Sequence, residues 1–308
     1  MKTAVIYHYF EASDVYRDNL IFFLNVAIDN DIDYFIYISG ECTVDLPAFP
    51  NVEYIFIENK NYDLGAVVNF NRHEKSNNYS YYIYLNCSVR GPFLPTYVTQ
   101  KWHEFFTSKL SNDIGIVGST INILPEHSKD SKYFSQKLGS SGPHTHVQTS
   151  SFAISSACYQ LLKSERFFDE NEKLDRLDVI LRLEITLSHI ILKNGFKICS
   201  LLPAYSEFSS AIRSLEYPNT LKNGDPLRKS AFYGRTIVPY ETIFIKTNRD
   251  MLTKRDLASY TFTSLDSYTK NKMLTTDGLE LFKKSSKECT QQYRFLEKVI
   301  FKLTKKLF

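Results

Sequence analysis

The side chains best suited to chemistry fall in five places along the chain. A polar loop from Asn86 to Gly91, carrying Asn86, Ser88 and Arg90, follows the apolar run Tyr81 to Leu85. In an open α/β sheet such a loop at a strand's carboxyl end is where ligands bind, because it is free of packing while the sheet holds it still. Upstream, within Asn61 to Ala66, Asp63 and Gly65 sit where a strand hands over to a helix. Free N–H groups there suit an anion such as a nucleotide phosphate, although Asp63 is equally placed to cap the helix and bind nothing.

The helix predicted from Asp175 to Asn194 carries two acids. At about 100° per residue, Asp178, Arg182, Thr186, His189 and Lys193 fall within about 80° of one another as a solvent stripe. Glu184 and Ser188 point the other way, among Leu177, Ile180, Leu187 and Ile191. A carboxylate on an apolar face needs either a buried cation or a cleft in which it acts as a base. Farther on, Tyr233 to Arg249 combines Glu241, Lys246 and Arg249 with a short apolar run. Its cations suit a diphosphate clamp, or simply an edge strand of alternating charge. Finally His146 and Gln148 open the segment His144 to Ser155, a candidate substrate-facing wall.

The elements that must position these groups read as strands at Thr3 to Tyr9, Tyr34 to Ser39 and Val52 to Glu58, with a helix from about Val15 to Asn30. A helix follows within Asn59 to Phe70, then the strand Tyr81 to Leu85. Further expected elements are a helix at Trp102 to Leu110 and strands at Ile114 to Ser119, His144 to Ser155 and Phe196 to Leu202. Their succession predicts a doubly wound α/β fold. Residues Ile121 to His144, broken by Pro125, Gly139, Gly142 and Pro143, read as one long loop. Tyr205 to Tyr233 reads as an extended cover.

Composition narrows the classes. The net charge of +3 over 308 residues is small and the basic residues are dispersed until the C-terminus, so no nucleic-acid footprint is indicated. The 21 Tyr and 23 Phe fill strand-like runs, so core filling accounts for them at least as well as stacking on sugar or base rings. Five scattered Cys without a CxxC fit reduced thiols in the cytoplasm. No GxGxxG follows the first strand, which argues against a nucleotide-dependent dehydrogenase. The tail Arg294 to Phe308 alternates Lys with Leu, Ile and Phe, a pattern that lies on an anionic membrane surface or packs on the domain.

Five segments together resemble the GT-A-fold glycosyltransferases of bacterial surface polysaccharide synthesis, close to the rhamnan synthesis F and capsule types. They are NYDLGA (Asn61 to Ala66), YYIYLNCSVRGPFLP (Tyr81 to Pro95), HVQTSSFAIS (His146 to Ser155), LEITLSHIILKNGF (Leu183 to Phe196) and PYETIFIKTNR (Pro239 to Arg249). The resemblance implies a GT-A-like domain over residues 1–250, with a mixed, mostly parallel sheet flanked by helices and a helical basic extension over 251–308. It implies sugar transfer from a nucleotide-diphosphate donor, UDP-type first among them, to a hydroxyl of a glycan or lipid-linked glycan such as capsule or lipopolysaccharide O-antigen. The expected location is cytoplasmic, docked peripherally on the inner face of the membrane.

It further implies Glu184 as the base, with Asp178 in second place. Asn61, Asp63, Gly65, Asn86, Ser88, Arg90, Lys246 and Arg249 would hold the donor, and His146, Gln148 and Glu241 the acceptor or sugar. The D-x-D pair that usually holds Mg²⁺ or Mn²⁺ is replaced by Asn86, Cys87 and Ser88. That leaves either a metal held by Asn86, Ser88, phosphates and waters, or the cations Arg90, Lys246 and Arg249 in its place. The loss of the pair also raises an alternative, an inactive GT-A fold that binds glycan or scaffolds a partner.

Overall fold

Apolar β-branched and aromatic runs make the buried strands β1 (Thr3–Tyr9), β2 (Asp33–Ser39) and β4 (Tyr81–Asn86), while β3 (Val52–Ile57) is half-buried at one edge. The computed structural model describes residues 2–124, 127–139, 144–170, 172–206, 224–270 and 272–290. Helix α1 (Asp14–Val26) joins β1 to β2, and α2 (Leu64–Phe70) joins β3 to β4. Strand β5 (Val89–Arg90), a short α3 (Glu104–Thr107), β6 (Ile114–Gly118) and β7 (Ile121–Asn122) follow. After α4 (Lys129–Leu138) come β8 (His146–Val147), β9 (Ser151–Ser155) and α5 (Ser156–Ser164). Then α6 (Arg176–Val179), a π-helical turn (Ile180–Ile185) and α7 (Thr186–Lys193) run into β10 (Lys197–Ser200). The remaining elements are α8 (Pro239–Thr242), β11 (Ile245–Lys246), α9 (Lys254–Thr269) and α10 (276–290).

Seven strands form the main sheet in the order β3-β2-β1-β4-β9-β6-β10. All pairings are parallel except those of β9, which runs antiparallel to both β4 and β6. The fold class expected from the sequence, a mixed and mostly parallel sheet flanked by helices with a helical C-terminal part, is therefore what the structure has. From β1 the chain steps outward through β2 to β3, then returns to place β4 on β1's other side. Such a reversal opens a crevice at the carboxyl ends of the two central strands.

Alternation along the strands decides what reaches that crevice. His8 and Asn86 are in register on β1 and β4 and share a face with Ala4, Tyr82, Ile6 and Tyr84. On this face Tyr82 stacks on Tyr159 of α5 at 4.2 Å and meets Phe70 of α2 at 6.1 Å. On the other face Tyr7 packs on Phe23 of α1 at 4.7 Å. Such ring pairs add about 1 kcal/mol each beyond burial, so the strand ends are held rigidly. Helices α9 and α10 close over α1. The ties from α10 and Thr275 just before it are Arg17 to Asp277 at 2.9 Å, Lys284 to Asp18 at 2.8 Å and Asn25 to Thr275 at 3.0 Å.

Several local expectations are corrected. The long loop at Ile121 to His144 contains β7 and α4, because Ser128 caps α4 through the Ser131 N–H and Gly139 ends it in the left-handed region. Pro125, Gly142 and Pro143 lie outside the described residues. The single strand expected from His144 to Ser155 is two, since β8 pairs with β7 while β9 joins the main sheet. The helix expected at Trp102 to Leu110 is confined to α3, and the run after Tyr233 forms α8 and β11. Most of Tyr205 to Tyr233 and the whole basic tail at Arg294 to Phe308 lie outside the described residues.

Candidate active site

A cleft of about 540 Å³ opens at the ends of β1 and β4, lined among others by His8, Asn61, Asp63, Asn86, Ser88 and Lys246. Asp63 occupies the N-cap position of α2 but has helical backbone angles and makes no capping hydrogen bond. Its carboxylate instead accepts from the Asn86 amide at 2.6 Å, which ties the start of α2 to the end of β4. Asn86 in turn accepts from the Ser88 N–H at 3.0 Å. Gly65 is required for this approach, because a Cβ there would sit 2.1 Å from the Lys60 carbonyl oxygen.

Lys246 reaches the cleft from β11, which pairs with β5. Burial lowers its pKa, Arg249 adds to the fall, and the carboxylates of Glu184, Asp63 and Asp225 pull the other way. Burial pushes Asp63 up to about 6, helped by Glu184 and opposed by Lys246 and the Asn86 hydrogen bond. These mutual effects bring Glu184, Asp63 and Lys246 into one electrostatic cluster. Among the described residues Lys246 has no ion-pair partner within contact distance, so its ammonium is available to a ligand.

Glu184 lies in the π-helical turn, which shifts the faces of the helix relative to a regular wheel. Half-buried, it does not itself line the cleft but lies near enough to act on Asp63 and Lys246, and among the described residues it receives one long contact of 3.5 Å from the Thr149 N–H. Its alternative, Asp178, is held by Lys137 at 2.6 Å on α6 and does not line the cleft. His189, expected on the solvent stripe, packs its ring on Phe134 at 5.7 Å.

Other expected residues are elsewhere. Arg90 is opposite Ile245 and Val89 opposite Lys246, so alternation sends Arg90 to the other face from Lys246. There it is buried, donating to Asn19 at 2.8 Å and Thr261 at 3.1 Å, with Asp18 at 3.7 Å. Glu241 pairs with Arg235 at 2.7 Å and caps α8 through the Val238 N–H at 2.9 Å. His146 is buried in β8 beside the His144 carbonyl. Gln148 is buried as well and donates to Asp225 at 2.9 Å; Asp225 ion-pairs with Arg249. Burial alone would raise Asp225, but Arg249 overrides it and holds the carboxyl below the usual range. Arg249 thus stands near Lys246, fixed from behind by Asp225 and Gln148.

Sequence reasoning missed Asp225, and it missed Lys173 and Arg176, which line the cleft from an exposed segment. Isolated charges near a helix start carry no signal that separates a ligand from a solvated surface.

A divalent cation prefers several hard oxygen ligands, carboxylates above all. The carbonyl oxygen of Asn86 is engaged by Ser88, its amide by Asp63, and the Lys246 ammonium already acts on both nearby carboxylates. Among the described residues no group of three or more His, Cys, Asp or Glu is disposed to hold a metal. The donor set does not fit a metal cage.

The raised pKa of Asp63 sets a pH dependence. The native chain keeps this proton up to about 6, whereas an unfolded aspartate releases it near 3.8. Between those values the folded state binds more protons, so the contribution of Asp63 is greatest at low pH and is lost as pH rises through about 6. Asp63→Asn is expected to remove that component. Its melting temperature should gain on the wild type from about pH 4 to about pH 6 and then run level. A difference that is flat across that range contradicts the burial of a titrating carboxyl.

Fold and site together define a doubly wound α/β domain with a cleft lined by charged side chains of both signs at its switch point. No family model matches the sequence, and no curated protein does. Among solved structures, the galactosyltransferase LgtC in complex with donor and acceptor sugar analogues is similar over 59% of this chain and 70% of its own, at 14% identity and a TM-score of 0.33. The Mn/GDP form of core-mannan synthase A from Aspergillus fumigatus is similar over 65% and 72%, at 12% and 0.33. The inositol-1-phosphate CTP transferase from T. maritima covers 65% and 84%, at 11% and 0.31. Likenesses at these values assign neither activity nor substrate.

Proposed function

We propose that this chain is a GT-A-type glycosyltransferase that moves a sugar from a nucleotide-diphosphate donor to a hydroxyl of a surface glycan. The observation that carries it is a cleft at the β1/β4 switch point lined by Lys246, a cation with no ion pair among the described residues, and by Asp63, with the loosely held carboxylate of Glu184 near enough to act on both. In this reading Lys246 and Arg249 take the charge of the leaving diphosphate, as fixed cations placed where that charge develops. Glu184 takes the acceptor's proton as its oxygen attacks the anomeric carbon from the side opposite the diphosphate. The bond from that carbon to the diphosphate breaks and its electron pair leaves on the phosphate oxygen, so the configuration inverts. Asp63 and Asn86 form the wall that orients the donor. A UDP-type donor, a capsule or O-antigen acceptor and peripheral docking through the basic C-terminus belong to the same proposal. Among the described residues no helix is long and apolar enough to cross a membrane.

Calorimetric titration with UDP, GDP and dTDP, first in EDTA and then with Mn²⁺, tests it. One nucleotide should bind in EDTA and so name the donor's base. Failure of all three under both conditions would overturn the donor reading and favour a glycan-binding protein.

A further inference from the structure

The cleft has a source of positive charge that no strand of the sheet supplies. Lys173 and Arg176 line it from the segment entering α6, and both side chains are exposed. The acids around them are occupied. Glu170 and Glu172 pair with Arg182 at 2.6 and 3.4 Å, and Asp175 accepts from the Asp178 N–H at 2.8 Å. Between the two cations Leu174 is buried, and its N–H donates to the Asn61 side-chain oxygen at 2.8 Å. Asn61 is itself 4% exposed, and it and Tyr62 hold left-handed backbone at φ 59 and 51. Asparagine tolerates that region; tyrosine rarely adopts it, and two such residues in succession persist only where their surroundings impose them. Here the imposed turn carries Asp63 into the cleft on one side and latches the Lys173–Arg176 segment on the other.

We propose that Lys173 and Arg176 form a cationic strap that binds the second phosphate of a pyrophosphate group, and that Asn61 is the residue that positions the strap. The ligand class rests on the nucleotide-diphosphate reading above, but the strap requires only two linked phosphates. Lysine offers a point charge and arginine a two-pronged donor, a pair suited to phosphate oxygens. A single phosphate engaged by Lys246 would leave the strap empty.

The test is titration of the full chain in EDTA with inorganic pyrophosphate and orthophosphate. The wild type should prefer pyrophosphate. The exposed double variant Lys173→Gln/Arg176→Gln should weaken pyrophosphate by about 100-fold, roughly tenfold per charge-assisted contact, and leave orthophosphate nearly unchanged. Asn61→Gly keeps the left-handed turn accessible while removing the latch. It should weaken pyrophosphate in the wild-type background and do nothing further in the double variant, because both changes remove one interaction. Wild-type pyrophosphate binding that is absent, or unchanged in the double variant, overturns the strap, and an undiminished effect of Asn61→Gly in the double variant overturns the latch. Pyrophosphate binding that depends on the strap while no nucleotide binds would sink the donor reading and uphold the strap.

Discussion

Glu184→Gln is expected to abolish sugar transfer while leaving the fold and nucleotide binding intact. A positioned general base contributes about 10²–10⁴-fold, and an amide cannot take the proton. The loss should therefore fall on kcat, in that range, with little change in the donor's KM. Stability should hardly move, because the side chain is half-buried and its Thr149 contact is as long as 3.5 Å. Asp178→Asn is the control: its carboxylate is paired with Lys137 away from the cleft, and activity should persist. Full transfer by Glu184→Gln would remove Glu184 as the base.

Lys246→Met should have the largest effect on donor binding. The ammonium acts on both Asp63 and Glu184 at the sheet end, and β11 carries no second cation to replace it. A charge-assisted contact to phosphate is worth about 1.5–3 kcal/mol, or about 10- to 100-fold in affinity. Its removal also leaves the Asp63 carboxylate facing an anionic ligand with Glu184 close by, so the loss should reach the upper end of that range or exceed it. Methionine preserves the aliphatic stem, which separates the charge from packing.

Much of the scaffold was legible because buried parallel strands are near-continuous apolar runs. Thr3–Tyr9 was read with both its ends, and β2, β3 and β4 to within a residue. Glu184 stood out for the same reason, as an acid among apolar neighbours. The failures share a cause, which is that pairing partners are tertiary facts. Arg90 looked like a loop cation beside Asn86, and only the β5–β11 register shows that it faces α1 and α9 instead. The segment His144 to Ser155 has one composition but two sheets to join. Glu241 and His146 carried functional side-chain types into purely local bonds. Asp63 was undecided between cap and ligand contact until the Asn86 amide claimed its carboxylate. The strap and Asp225 left no trace in the sequence, because their meaning comes from partners far along the chain, Asn61 for one and Arg249 for the other.

In the donor reading Lys246 supplies the charge on which a nucleoside diphosphate rests. The most direct test is calorimetric titration of the wild type and Lys246→Met side by side in EDTA, with whichever of UDP, GDP and dTDP binds. The expected result is binding by the wild type that the variant loses by about 100-fold or more. Equal binding by both proteins, or wild-type binding that appears only after Mn²⁺ is added, would contradict it.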